Sequence, residues 1–277
     1  MALIQCNFIS KSLMRTVPIN VVLPTDKLSF PGQPVPEEKP LKTLYLLHGV
    51  FGNYTDWVSG TRIQSWAEER NLAVVMPSGD NQFYVDNPRS NALYGTFIGQ
   101  ELVEFTRRSF PLSRKREDTF IAGLSMGGYG AIVNGLRFHE TFGAACGLSA
   151  ALILDQLSSH TEYTDFLMTN RGYYESVFGE LGKVPGSDMD YTALAERLAA
   201  SGGEKPKIYL ACGTEDGLIT PNRIFRDKLK SLGYDLTWEE GPGKHDWYFW
   251  DTYIRKVLDW LPLDGPQQGV SSGHVTE

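Results

Sequence analysis

Gly123-Leu124-Ser125-Met126-Gly127-Gly128 sets a serine between two glycines, in the pattern Gly-x-Ser-x-Gly. The apolar run Phe120-Ile121-Ala122 precedes it and a helical stretch, Tyr129–Phe138, follows. Strand, sharp turn and helix in that order present a serine Oγ on a strained backbone. Gly123 and Gly127 lack a Cβ, so neighbouring backbone can pass close to the turn. The helix that opens at Met126 points amide N–H groups and the positive end of its dipole at Ser125. Negative charge developing on an oxygen there is stabilised. Ser125 is the candidate nucleophile.

A serine hydroxyl is a weak nucleophile and needs a base beside it. The chain has five histidines. His274 lies in the tail and His160 in an irregular stretch. His139 ends the helix that follows Ser125, roughly 20 Å from its start at about 1.5 Å per residue. His48 ends an early strand, in Leu47-His48-Gly49. His245 stands in Gly241-Pro242-Gly243-Lys244-His245-Asp246-Trp247, a loop before the last helix, and is the candidate base. With Ser125 first and the histidine last, the orienting acid falls between them. Asp216 does so, in Gly213-Thr214-Glu215-Asp216-Gly217 directly after a strand. Glu215 competes from one position away. Asp188 and Asp190 lie far from a strand end, and Asp246 is too near His245 to reach its ring Nδ1. Gly217 is expected to permit the turn that aims Asp216 inward, with Glu215 facing solvent or bracing the loop.

The elements that must position these residues alternate along the chain. Leu44–Leu47, Leu72–Met76, Thr119–Ala122 and Ile208–Ala211 are short apolar runs of buried-strand type. Helical stretches lie between or after them: Ile63–Arg70, Ile98–Phe110, Met126–Phe138, Tyr191–Ala200, Asn222–Leu232 and Trp250–Leu261. Ile98, Leu102 and Phe105 share one helical face. This alternation predicts an α/β fold, a mostly parallel sheet with helices on both faces. Residues 2–10 and 15–23 read as two further strands, with Pro18 pointing to an edge position for the second. Residues 24–40 hold five prolines and read as a surface loop. Residues 151–190 break the rhythm, as a lid over a site or as a surface insertion, with aromatics at 163, 166, 173, 174 and 178. Residues 1–263 read as one domain and 264–277 as a flexible tail.

Composition narrows the function. The 277 residues carry 26 basic and 33 acidic side chains, net −7, which argues against a nucleic-acid binder, whose phosphate contacts need a basic face. Cys6, Cys146 and Cys212 lie far apart, with no metal-ligand spacing and no pairing pattern. No metal or other cofactor is expected, and a reducing compartment suits the free thiols. No apolar run approaches ~18 residues, so no membrane span is expected. Polar breaks within Met1–Met14 leave no signal-peptide core. The reading is a cytoplasmic protein acting on a small molecule, with homo-oligomerisation left open.

The strings Leu46-Leu47-His48-Gly49-Val50-Phe51-Gly52-Asn53, Asp56-Trp57, Gly123-Leu124-Ser125-Met126-Gly127-Gly128-Tyr129-Gly130-Ala131, Gly213-Thr214-Glu215-Asp216 and Gly243-Lys244-His245-Asp246-Trp247 together resemble the esterase D branch of the α/β-hydrolases. Within it the likeness is nearest to the tributyrin-esterase group, with S-formylglutathione hydrolases, feruloyl esterases and mycolyltransferases as relatives. It spans about residues 2 to 261. It implies an α/β-hydrolase fold, Ser125 as nucleophile, Asp216 as orienter and His245 as base. It implies an oxyanion hole from the Met126 and Val50 N–H groups, with Phe51 as the donor if that loop is shifted by one. His48 then holds the oxyanion loop. The activity implied is hydrolysis of short-chain carboxylic esters through an acyl-enzyme. S-formylglutathione or feruloyl ester hydrolysis, acyl transfer, peptide cleavage and a non-catalytic binding module are the rival readings.

Overall fold

The computed structural model describes residues 1–28, 39–157 and 165–265. Much of the proline-rich loop, residues 158–164 with His160 and Tyr163, and most of the tail with His274 lie outside the described residues.

Eight strands form the central sheet: β1 (Ala2–Ser10), β2 (Arg15–Leu23), β3 (Lys42–Leu47), β4 (Leu72–Pro77), β5 (Thr119–Leu124), β6 (Ala144–Leu148), β7 (Lys207–Gly213) and β8 (Leu236–Gly241). Their order is β1-β2-β4-β3-β5-β6-β7-β8. The β1–β2 and β2–β4 pairs are antiparallel and every later pair is parallel. This is the mostly parallel α/β sheet that the alternating pattern predicts. The principal helices are α1 (Ile63–Glu69), α2 (Leu102–Ser109), α3 (Met126–Arg137), α4 (Arg171–Phe178), α5 (Tyr191–Ser201), α6 (Ile219–Ser231) and α7 (Trp247–Trp260).

Alternation along the buried strands divides the apolar side chains between two cores. Tyr45, Leu47, Val75, Ile121 and Leu210 face one core, with Leu102 of α2, Ile132 and Leu136 of α3, and Phe225 and Leu229 of α6. Leu44, Leu46, Val74, Phe120, Ala122 and Tyr209 face the other, with Ile63 and Trp66 of α1 and Trp250, Ile254 and Val257 of α7. The sheet thus has a helical layer on each side.

Several boundaries differ from the sequence reading. β2 is not an edge strand: β1 and β4 flank it. Its pairing with β4 covers only Ile19–Val22, so Pro18 lies past the end of β4, where its missing N–H breaks no ladder on that side. The expected helix Ile98–Phe110 opens with a π turn over Phe97–Glu101, and Phe105 stacks on Phe8 of β1 with ring centroids 3.7 Å apart. α7 begins at Trp247, three residues earlier than expected, because the Asp246 side chain accepts the Phe249 N–H and caps it. β6 is rich in alanine and glycine, and β8 is only half-buried, so neither gives the apolar run that marks the other strands. In the irregular segment, α4 buries Tyr173, Tyr174 and Phe178; Phe178 meets Phe83 and Tyr129.

Candidate active site

The C-terminal ends of the parallel strands carry every candidate residue, the usual place for a site in such a sheet. Ser125 follows β5, Asp216 follows β7, His245 follows β8, and the His48–Gly52 loop follows β3.

Ser125 has φ 53° and ψ −118°, a conformation that costs a non-glycine residue on the order of 1–3 kcal/mol. Three backbone hydrogen bonds hold it there. Its N–H donates to Leu148 O at 2.9 Å, and its carbonyl accepts from Tyr129 N at 3.0 Å and Ala151 N at 2.9 Å. The flanking glycines are required by contact. A Cβ on Gly123 would lie 2.3 Å from Gly127 O, and one on Gly127 would lie 2.4 Å from Leu47 O. The elbow is therefore wedged between its own helix and β3.

His245 Nε2 lies 3.0 Å from Ser125 Oγ, and its Nδ1 lies 2.8 Å from Asp216 Oδ2. A carboxylate only accepts, so Nδ1 carries the ring proton. Nε2 then has a lone pair for the Ser125 hydroxyl. Asp216 is buried, and its other oxygen, Oδ1, accepts the Leu218 N–H at 2.9 Å. Burial alone would raise its pKa. The hydrogen bonds from His245 and Leu218 outweigh it and hold the carboxyl below its ordinary value. Ser149 is buried with φ 45°, and its Oγ makes no hydrogen bond among the described residues. The Trp250 ring stands edge-on to His245 with centroids 5.0 Å apart.

The rival acids fall elsewhere. Glu215 is exposed; its backbone N–H donates to Gly243 O at 3.0 Å, beside the Thr214 N–H to Gly241 O bond at 2.9 Å. That loop is braced by main chain and not by the glutamate side chain. Asp246 caps α7, and Asp190 caps α5 by accepting from Thr192 and Ala193 N–H. Gly217 does not play the expected role. Its φ lies outside the left-handed region and a Cβ there would meet nothing within 4 Å, so the Asp216 turn does not need a glycine.

His48 is buried and pinned on both ring nitrogens. Gly79 N–H donates to Nε2 at 2.8 Å, and Nδ1 meets Gly49 O at 2.6 Å. The Tyr84 hydroxyl donates to His48 O at 3.0 Å. A Cβ on Gly49 would lie 3.4 Å from the Ser125 Cβ, so the turn after His48 sits against the serine. Phe51 N–H is committed to Asn81 Oδ1 at 2.8 Å. The Val50 and Met126 N–H groups have no hydrogen-bond partner among the described residues. His139 lies beyond α3, at the opposite end of that helix from Ser125.

Sequence reasoning missed Gly79, Asn81 and Tyr84. The only cue for Gly79 and Asn81 was a polar stretch, Ser78-Gly79-Asp80-Asn81, at the end of a buried strand.

The family model described as "Putative esterase" matches residues 10–260. An acetyl esterase from Caldicellulosiruptor saccharolyticus is 44% identical over 261 residues, covering 94% of this chain and 98% of the relative. The fluorophosphonate-binding serine hydrolase F of Staphylococcus aureus superposes with a TM-score of 0.81 at 34% identity, over 94% of this chain and 98% of the other. An S-formylglutathione hydrolase from Staphylococcus aureus gives 0.80 at 34% identity, with the same coverage. By sequence and by structure, the chain belongs to this esterase family, as a serine esterase on an α/β-hydrolase fold.

Proposed function

We propose that the protein hydrolyses short-chain carboxylic esters through an acyl-enzyme on Ser125, without a cofactor. The observation that carries this is the unbroken relay from Ser125 Oγ through His245 to Asp216, at 3.0 and 2.8 Å. Ser125 Oγ attacks the ester carbonyl while His245 Nε2 takes its proton. The tetrahedral oxyanion rests on the Val50 and Met126 N–H groups, aided by the N-terminus of α3. His245 then protonates the leaving alkoxide. Water, deprotonated by His245, attacks the acyl-enzyme, and the acid leaves with Ser125 restored. Asp216, kept ionised, fixes the imidazole tautomer and stabilises the imidazolium.

The acetyl esterase relative supports a small acyl group. The S-formylglutathione hydrolase likeness supports a second reading, in which the leaving group is a thiolate. The free cysteines support action in the cytoplasm. Among the described residues no helix is long and apolar enough to cross a membrane. The test is Ser125→Ala, assayed on p-nitrophenyl acetate and on S-formylglutathione. Loss of at least 10⁴-fold in kcat on whichever substrate the wild type turns over is expected. A variant keeping a tenth of wild-type activity would overturn the assignment.

A further inference from the structure

The turn that carries Val50 is closed by the Gly52 N–H to Gly49 O hydrogen bond at 3.3 Å. Its third residue, Phe51, has φ 66°, while Val50 keeps a negative φ. A left-handed third residue after an ordinary second one defines a type II turn, which favours glycine at that place. Phenylalanine there is strained, and it is 69% exposed, so core packing does not hold it. One side chain does: the Asn81 carboxamide oxygen accepts the Phe51 N–H at 2.8 Å. Relaxing Phe51 to a negative φ flips the Val50–Phe51 peptide and turns the Val50 carbonyl toward that oxygen, acceptor against acceptor. Asn81 therefore selects between the two turn conformers.

Asn81 is itself anchored. Its backbone carbonyl accepts the Tyr173 hydroxyl of α4 at 2.7 Å. Asp80, next to it, pairs with Arg15 at 2.5 Å and accepts the Tyr94 hydroxyl. The same loop grips His48 through Gly79 and Tyr84, but of these contacts only the Asn81 amide reaches the turn beyond Gly49.

We propose that Asn81 is a positioning residue for the oxyanion-binding turn, holding Phe51 left-handed so that the Val50 N–H stays fixed against Ser125. The inference rests on the oxyanion role given to Val50 above. Oxyanion donors act through preorganisation, and a turn that exchanges between conformers holds its donor loosely.

A double-mutant cycle on the full chain tests it, with kcat and KM measured on a short p-nitrophenyl ester. N81A is expected to lower kcat about tenfold with KM changed less than twofold, since a donor loosened costs less than the 10²–10³ of one removed. In the F51G background, where glycine holds the left-handed state unaided, N81A is expected to cost less than twofold. A full kcat in N81A, or an equal loss in both backgrounds, overturns the proposal. Should N81A fail to fold, N81D and N81L carry the test, because only the first keeps an acceptor oxygen. N81D is expected to hold at least five times the kcat of N81L, and equal values overturn the proposal. Failure here is distinct from failure of the esterase reading: an active N81A beside an inactive Ser125→Ala removes only the role of Asn81.

Discussion

Ser125, His245 and Asp216 come from three separate loops, so their relay is a product of the fold and each member can be tested by itself. Asp216 and Glu215 lie one position apart in the chain but in different surroundings: one is buried on His245 Nδ1, the other exposed. Asp216→Asn should lower kcat by about 10²–10⁴, since an amide permits the wrong imidazole tautomer. Glu215→Gln should cost less than threefold. Steady-state assays of the two variants check this, and reversed effects would transfer the role to Glu215. His48 supports a second prediction. Burial, the largest influence, pushes its pKa down, and the Gly49 carbonyl with the charges of Asp56 and Asp80 only partly offsets this. The Gly79 N–H also fills the place where a second ring proton would go. In the unfolded chain the ring protonates near pH 6.5, while in the folded chain it resists until lower pH. The stability it contributes is therefore full above about pH 6.5 and is lost as pH falls through the folded value. Urea midpoints at pH 7.5 and 5.5 should fall further for wild type than for His48→Gln.

At the scale of elements, the turn between β5 and α3 has no room for a side chain at either glycine. Gly127→Ala would drive a Cβ against the backbone of β3 and should cost about 2–4 kcal/mol or prevent folding. Gly217→Ala, which meets open space, should leave the melting temperature within about 2 °C. Thermal unfolding of both variants separates a wedged glycine from a tolerated one. The contrast shows what a sequence can and cannot reveal. Gly123 and Gly127 were legible because the Gly-x-Ser-x-Gly spacing marks the turn, although only Gly123 makes its contact locally, with Gly127, while Gly127 meets β3. Gly217 looked equivalent, yet nothing in the sequence says that its surroundings are empty. The buried strands were legible from their apolar runs. β6 was not, because alanine and glycine suit close packing of α3 on the sheet without marking a strand. Asn81 was not legible either, since it acts across a long separation in the chain, on Phe51.

At the scale of the whole molecule, an acidic chain presents its candidate site at the C-terminal ends of the parallel strands of an eight-stranded sheet, with Tyr173 of the segment 151–190 bonded to the loop that holds Asn81. A short acyl group is the proposed fit. Across p-nitrophenyl esters from two to twelve acyl carbons, kcat/KM should be highest at two to four and fall at least tenfold by eight. A maximum at eight or beyond would assign the protein to longer substrates. The division of the interior into two cores has a bearing on heat. Ser125 opens α3, whose weight rests in one core, while His245 stands just before α7, whose aromatic face rests in the other. Ser125 and His245 are thus moored to two bodies of hydrocarbon separated by the sheet, and a 3.0 Å contact joins them. Loosening of either body would part the pair before the strands come undone. Turnover is then expected to fail on warming ahead of the melting of the sheet itself, as activity and far-UV circular dichroism followed on one temperature ramp would show.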